Sequence, residues 1–277
     1  MKDGVNFLAH LVEEGLSYSA IATARSALST YIRLSDANNG KTFGQQDVVK
    51  RFMKGLFEEK PTLPRYVCTW DVNIVLNFLQ SWSPVNRLTL KELSFKLCML
   101  LALLSGQRCQ TLHILDIEHM VLSDSRCIFY IMSVIKHSRR GSHQKPLEIE
   151  AYPKCTDLCV VTVLKEYLRR TEPFRKKSGS KLFLTLLNPH SPASKDTVSR
   201  WIKTTLSLAG IELNYTAHST RMAATSAADK CGVPIETIME AAGWSNSSTF
   251  GKFYRKNVDK ASMGQSILDN YLMHPKK

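Results

Sequence analysis

Apolar positions recur at helical spacing along most of the chain and switch to strand-like alternation in one stretch near its middle. Phe7, Leu8, Leu11 and Val12 form one stripe, and Ile21, Ala24, Leu28, Tyr31 and Ile32 form another. Residues 5–33 therefore predict two amphipathic helices, with Ser17 or Ser19 placed to cap the second. Asn38-Asn39-Gly40 breaks the pattern, and a third helix is expected from about Asp47 to Leu56, with Val48, Val49, Phe52 and Met53 on one side. The run from Glu58 to Pro64 holds two prolines and no period, so it reads as a linker between residues 1–60 and residues 61–277.

Beyond the linker, Thr69 is placed to cap a helix bearing Val72, Val75, Leu76 and Leu79. Leu88 to Leu104 is apolar on nearly every face, the mark of a central buried helix, and it stops at Ser105-Gly106. Cys127 to Ile135 is strand-like, and Pro146 to Tyr152 alternates apolar with polar. The basic turn Lys136–Lys145 between them predicts a β-hairpin with a positive tip. Helices are expected again near 157–170, 194–208, 219–231, 234–242 and 248–257, with a last amphipathic stretch at 261–272. The expected fold is mainly α with a small antiparallel β-sheet, and no internal repeat is visible.

Composition adds a partner to this picture. The chain has 277 residues, 44% of them apolar, which is enough to fill a core. Its net charge of +13 suggests an anionic polymer as partner. Up to Lys60 there are 8 Lys and Arg against 7 Asp and Glu, leaving 29 against 17 for the remainder, so almost all the excess lies in the second part. Seven scattered cysteines, without paired Cys/His spacing, predict buried thiols in a reduced intracellular setting and no structural zinc. The start lacks a signal-like apolar run and no segment approaches 18 apolar residues, so neither secretion nor a membrane span is expected.

Against an anionic polymer, one set of residues stands out. Breaking a phosphodiester without a metal needs a nucleophile, cations that hold the non-bridging oxygens, and an acid for the departing sugar oxygen. Arginine is the best clamp, because its planar fork donates two hydrogen bonds and keeps its charge. Arg108 follows the buried helix directly. His218 and Arg221 are spaced i, i+3 at a helix start, where the dipole favours an anion. Trp244 follows a helix stop, and Tyr254 lies in Thr249-Phe-Gly-Lys-Phe-Tyr254. Each has an ordinary structural explanation when taken alone: a snorkelling end-group, a surface pair, a core indole, a structural tyrosine.

Their order is more specific. Arg108, a basic hairpin with lysines, His-x-x-Arg, Gly-Trp and then tyrosine resembles the tyrosine recombinase, or phage integrase, family over about residues 69–257. Pro64-Arg-Tyr-Val-Cys-Thr-Trp70-Asp71, Ser105-Gly-Gln-Arg108 and Ala-Gly-Trp244-Ser are closest in phrasing to recombinases of DIRS-type and related retrotransposons. The resemblance implies a helical core-binding (SAM-like) DNA-binding domain at 1–60 and an α+β catalytic domain at 61–277. It implies cleavage and rejoining of double-stranded DNA through a 3′-phosphotyrosyl intermediate, without metal, ATP or cofactor. Tyr254 would be the nucleophile, Arg108 and Arg221 the phosphate grip, and His218 a proton shuttle or phosphate donor. Trp244 would be an indole donor, and Lys136 the acid, with Lys145 as the competing choice.

The same resemblance implies assembly into a synaptic tetramer, with the 261–272 stretch either packed on its own domain or docked on a neighbour. It implies a nuclear location for an element of a eukaryote. Two departures stand against it. The family's acidic residue three positions after the first arginine is here Thr111, with Asp116 and Glu118 out of register. The interval from Trp244 to Tyr254 is also one residue longer than in many relatives. Two alternatives remain open: a DNA-binding descendant that no longer cuts, and a type IB topoisomerase.

Overall fold

The computed structural model describes residues 2–32, 40–61, 65–134, 145–244, 251 and 256. Its chain divides into two compact units, Met1–Arg65 and Tyr66–Lys277, each with its own core.

The first unit is built from α1 (Lys2–Glu13), α2 (Tyr18–Tyr31) and α3 (Asp47–Glu59). Ser17, rather than Ser19, caps α2: its Oγ accepts from Ala20 N at 3.3 Å. Leu8, Ile21, Phe43, Val49, Met53 and Leu56 form the core. On α3 the buried stripe is Val49, Met53 and Leu56, while Val48 faces solvent. Val49 and Met53 of the face that the sequence marked are thus in the core and Phe52 packs partly against it; Val48 alone departs. Gly4 permits the close approach of α1 to Phe43; a Cβ there would lie 2.6 Å from the ring.

The second unit opens with α4 (Val72–Ser81). Its N-cap is Asp71, whose Oδ1 accepts from Asn73 N at 2.9 Å, and not Thr69, which is buried. A carboxylate directly before the helix outcompetes a hydroxyl two residues further back. The axis of the unit is α5 (Leu90–Ser105), started by a capping box in which Thr89 and Glu92 bond each other's backbone N–H. Eleven consecutive residues, Leu93 to Leu103, are buried, as α6 (Cys109–Ile114), α7 (Val160–Ser178), α8 (Lys195–Leu208) and α9 (Ser219–Lys230) pack round the helix. Lys96 is among them. Its Nζ donates to Trp82 O at 2.5 Å at the end of α4, and burial pushes its pKa below the ordinary lysine value.

The sheet contains β1 (Met120–Leu122), β2 (Arg126–Phe129) and β3 (Leu147–Glu150), antiparallel in the order β1-β2-β3. Cys127 pairs with Leu122 on one side and Ile149 on the other. Cys127, Phe129, Leu147 and Ile149 turn inward, and Glu148 and Glu150 turn out. The hairpin strands are thus shorter than the sequence pattern suggested, and β1 joins them. The last described helix is α10 (Ile235–Ala242). The expected helices at 248–257 and 261–272 lie outside the described residues, apart from 251 and 256. Among the described residues no helix is long and apolar enough to cross a membrane.

Candidate active site

At the end of α5, Ser105 turns its hydroxyl back to Leu101 O at 2.5 Å, and Gly106 takes the left-handed conformation at φ 60°. A Cβ there would meet Thr225 Cγ2 at an ordinary 3.5 Å, so the backbone angle and not crowding is what favours glycine. This turn delivers Arg108, half-buried, to the N-cap position of α6.

Arg221 comes to the same turn from α9. It is 1% exposed, and its Nη1 donates to Gly106 O at 2.6 Å while Nη2 donates to Ala242 O. Its guanidinium carbon lies 4.3 Å from the centre of the Trp244 ring. A buried cation is tolerable only when its charge is met, and here carbonyl dipoles and an aromatic face meet it. Gly243, left-handed at φ 65°, ends α10 and turns the chain so that the backbone N–H of Trp244 donates to Met239 O at 2.8 Å. Gln107 adds a further tie, Nε2 to Ala241 O at 2.7 Å.

The structure therefore brings together the Gly106–Arg108 turn, Arg221 and the Ala242–Trp244 end of α10, Gly106 of the turn lying 115 positions from Arg221 and Ala242 21 positions from it. His218 stands at the N-cap position of α9 and is exposed, while Ser219, Thr220 and Arg221 behind it are buried. Lys136 and Tyr254 lie outside the described residues. Lys145 is described: its Nζ pairs with Glu240 on α10, both side chains being largely exposed. Gln107 and Glu240 had no signal in the sequence, because their partners are 134 and 95 positions away.

Thr111 is 5% exposed on α6. The nearest acidic residue downstream, Asp116, is already committed. Its Oδ2 accepts from Ser180 Oγ at 3.0 Å and Lys181 Nζ at 3.2 Å, and its Oδ1 accepts from Glu118 N at 3.0 Å. Burial works to raise its pKa, but these hydrogen bonds outweigh burial and hold the carboxyl below the ordinary value. Asp116 thus fastens α6 to the segment after α7.

Against known proteins, the profile of the phage integrase family matches residues 76–260. No curated protein sequence matches the chain. Among solved structures, the chain is similar to the Tn1549 transposon integrase in complex with transposon right end DNA, with a TM-score of 0.60 and 13% identity over 98% of this chain and 84% of that one. It is similar to the XerH site-specific recombinase bound to palindromic difH substrate, with a TM-score of 0.59 and 15% identity over 97% and 71%. It is also similar to a lambda integrase dimer bound to a COC′ core site, with a TM-score of 0.54 and 18% identity over 95% and 67%. At such identities the likeness establishes the fold.

Proposed function

The chain belongs to the phage integrase family, and from that premise we propose that it is a site-specific DNA recombinase that cuts and rejoins double-stranded DNA through a tyrosine. Tyr254 attacks the scissile phosphorus, giving a 3′-phosphotyrosyl ester and a free 5′ hydroxyl. The ester keeps the bond energy, so rejoining needs no ATP. Arg108 and Arg221 hold the non-bridging oxygens, His218 passes a proton or donates to the phosphate, and Trp244 lends its indole N–H. Lys136 protonates the leaving oxygen. Lys145 is the poorer choice for that role, because Glu240 competes for it.

One observation carries the reading: Arg221 is almost fully buried against the turn that leads to Arg108, bonded to Gly106 and faced by Trp244. A cation in such a setting acts on a phosphate far more strongly than one in water.

The phrasing around Arg108 and Trp244 supports a recombinase of a mobile element, of the DIRS-type retrotransposon kind, working in a nucleus. The first unit serves as the core-binding domain, and copies assemble on DNA into a synaptic tetramer. A second reading, a DNA-binding descendant that no longer cuts, is favoured by Thr111 and by the commitment of Asp116 elsewhere.

The two readings part in one assay. The protein is incubated with a pool of nicked duplexes of randomised sequence, and protein–DNA adducts that survive detergent are collected. The recombinase reading expects an adduct that disappears with Tyr254→Phe. Arg221→Ala should slow its formation by about 10²–10³-fold, as for loss of one preorganised donor. Retention of DNA without any adduct would favour the second reading.

A further inference from the structure

The first turn of α9 carries both His218 and Arg221, yet the side chain of His218 does not cap the helix. The turn is held from the side instead, by the segment that opens the second unit. Trp70, 4% exposed, donates from Nε1 to Ser219 Oγ at 3.0 Å. Ser219 Oγ in turn donates to Thr216 O at 2.7 Å, so one hydroxyl links the indole to the backbone just before the helix. Tyr66 completes the strap. Its hydroxyl accepts from Thr216 N at 3.2 Å, lies 3.2 Å from Thr216 Oγ1 and 3.3 Å from Asn214 O, and its ring stacks on Tyr215 at 5.1 Å.

We infer that Trp70 is a positioning residue: through Ser219 it fixes the first turn of α9, and so fixes where Arg221 meets the scissile phosphate. The inference rests on the recombinase reading and adds a residue to its machinery. Three observations carry it. The bond ends on Ser219, between His218 and Arg221 in the chain, so it restrains the stretch of backbone that carries both. The bond is a side chain to side chain contact across 149 positions, which nothing local requires. And the seam is more polar than packing needs: Thr69 and Thr220, the residues beside Trp70 and Ser219, bury their hydroxyls without a hydrogen bond among the described residues. Buried hydroxyls without protein partners weaken a seam built for stability alone.

Trp70→Phe keeps an aromatic ring and removes the donor; Ser219→Ala removes the acceptor. Both are compared with the wild type in two measurements. The first is amide hydrogen exchange on the full-length protein. Faster exchange over residues 216–221, with α5 and α8 unchanged, is the expected result. Unchanged exchange at 216–221 overturns the inference, and so does faster exchange throughout the unit, which makes Trp70 a packing residue.

The second measurement is the rate of adduct formation on a duplex recovered from the randomised pool, and on the same duplex with a neutral methylphosphonate at the scissile position. Each variant should lose on the order of 10- to 100-fold on the phosphodiester, the scale of a small misplacement. It should lose much less on the methylphosphonate, where Arg221 has less charge to meet. Equal losses on both overturn the inference. If the wild type forms no adduct on any DNA, the recombinase reading fails, while exchange still decides whether Trp70 holds the turn.

Discussion

Arg170 and Arg221 both send guanidinium groups into backbone carbonyls, but with different consequences. Arg170 donates to the carbonyls of Asn86 and Leu88, and its Nε bonds Glu166 at 2.6 Å, stapling α7 to the turn before α5. Glu166 is held at about 2, against an ordinary 4.5, chiefly by the Arg169 hydrogen bond; partial burial works against this and the Arg170 bond adds to it. The unfolded chain therefore binds more protons than the native state between those two values. The stabilisation is complete above about pH 4.5 and is lost as pH falls through about 2. Glu166→Gln should lower the melting temperature at pH 7 by roughly a few degrees. That difference should shrink across the acid window and vanish below it. A difference independent of pH would show that the charge on Glu166 is not what matters. Arg221 has another role, since the groups round it belong to two separate segments, the turn after α5 and the end of α10, and the guanidinium holds them to one another.

At the scale of elements, α5 organises the second unit. Leu97, fully buried at its middle, should cost about 2–5 kcal/mol when cut to alanine, for lost transfer energy and the cavity left behind. Leu104 on the same helix is 51% exposed and should cost within about 0.5 kcal/mol. Denaturant unfolding followed by tryptophan fluorescence separates them, because Trp70, Trp82, Trp201 and Trp244 all lie in that unit. Equal effects would displace α5 from the centre of the core.

The helices were legible in the sequence because their apolar stripes are long and their caps are local. Thr89 and Glu92 are three residues apart, and Gly106 and Gly243 mark stops. What escaped was short or distant. Strand β1 and helix α6 span only 3 and 6 residues, too few for a period to show. On α3 the face was legible except at Val48, which is exposed while Leu56 is buried, a choice that tertiary packing makes. The order of Arg108, His218, Arg221 and Trp244 was legible through a family resemblance. The bonds from Arg221 to Gly106 and Ala242, and from Trp70 to Ser219, were not, because they join residues 115, 21 and 149 positions apart.

At the scale of the whole molecule, a nearly neutral helical unit precedes one that carries almost all the positive excess. That division suits a protein whose second unit meets the DNA backbone most closely, where phosphate neutralisation drives binding. Family membership, the gathered arginines and this charge converge on one chemical claim, that a phenol oxygen becomes esterified to the 3′ end of a cut strand. The adduct collected from the randomised duplex pool tests it directly, after nuclease and protease digestion and mass spectrometry of the nucleotide-bearing peptide. The account predicts a single nucleotide joined through its 3′ phosphate to Tyr254, with a 5′ hydroxyl on the other DNA end. A nucleotide on any other residue, or a 5′ phosphate linkage, would contradict it.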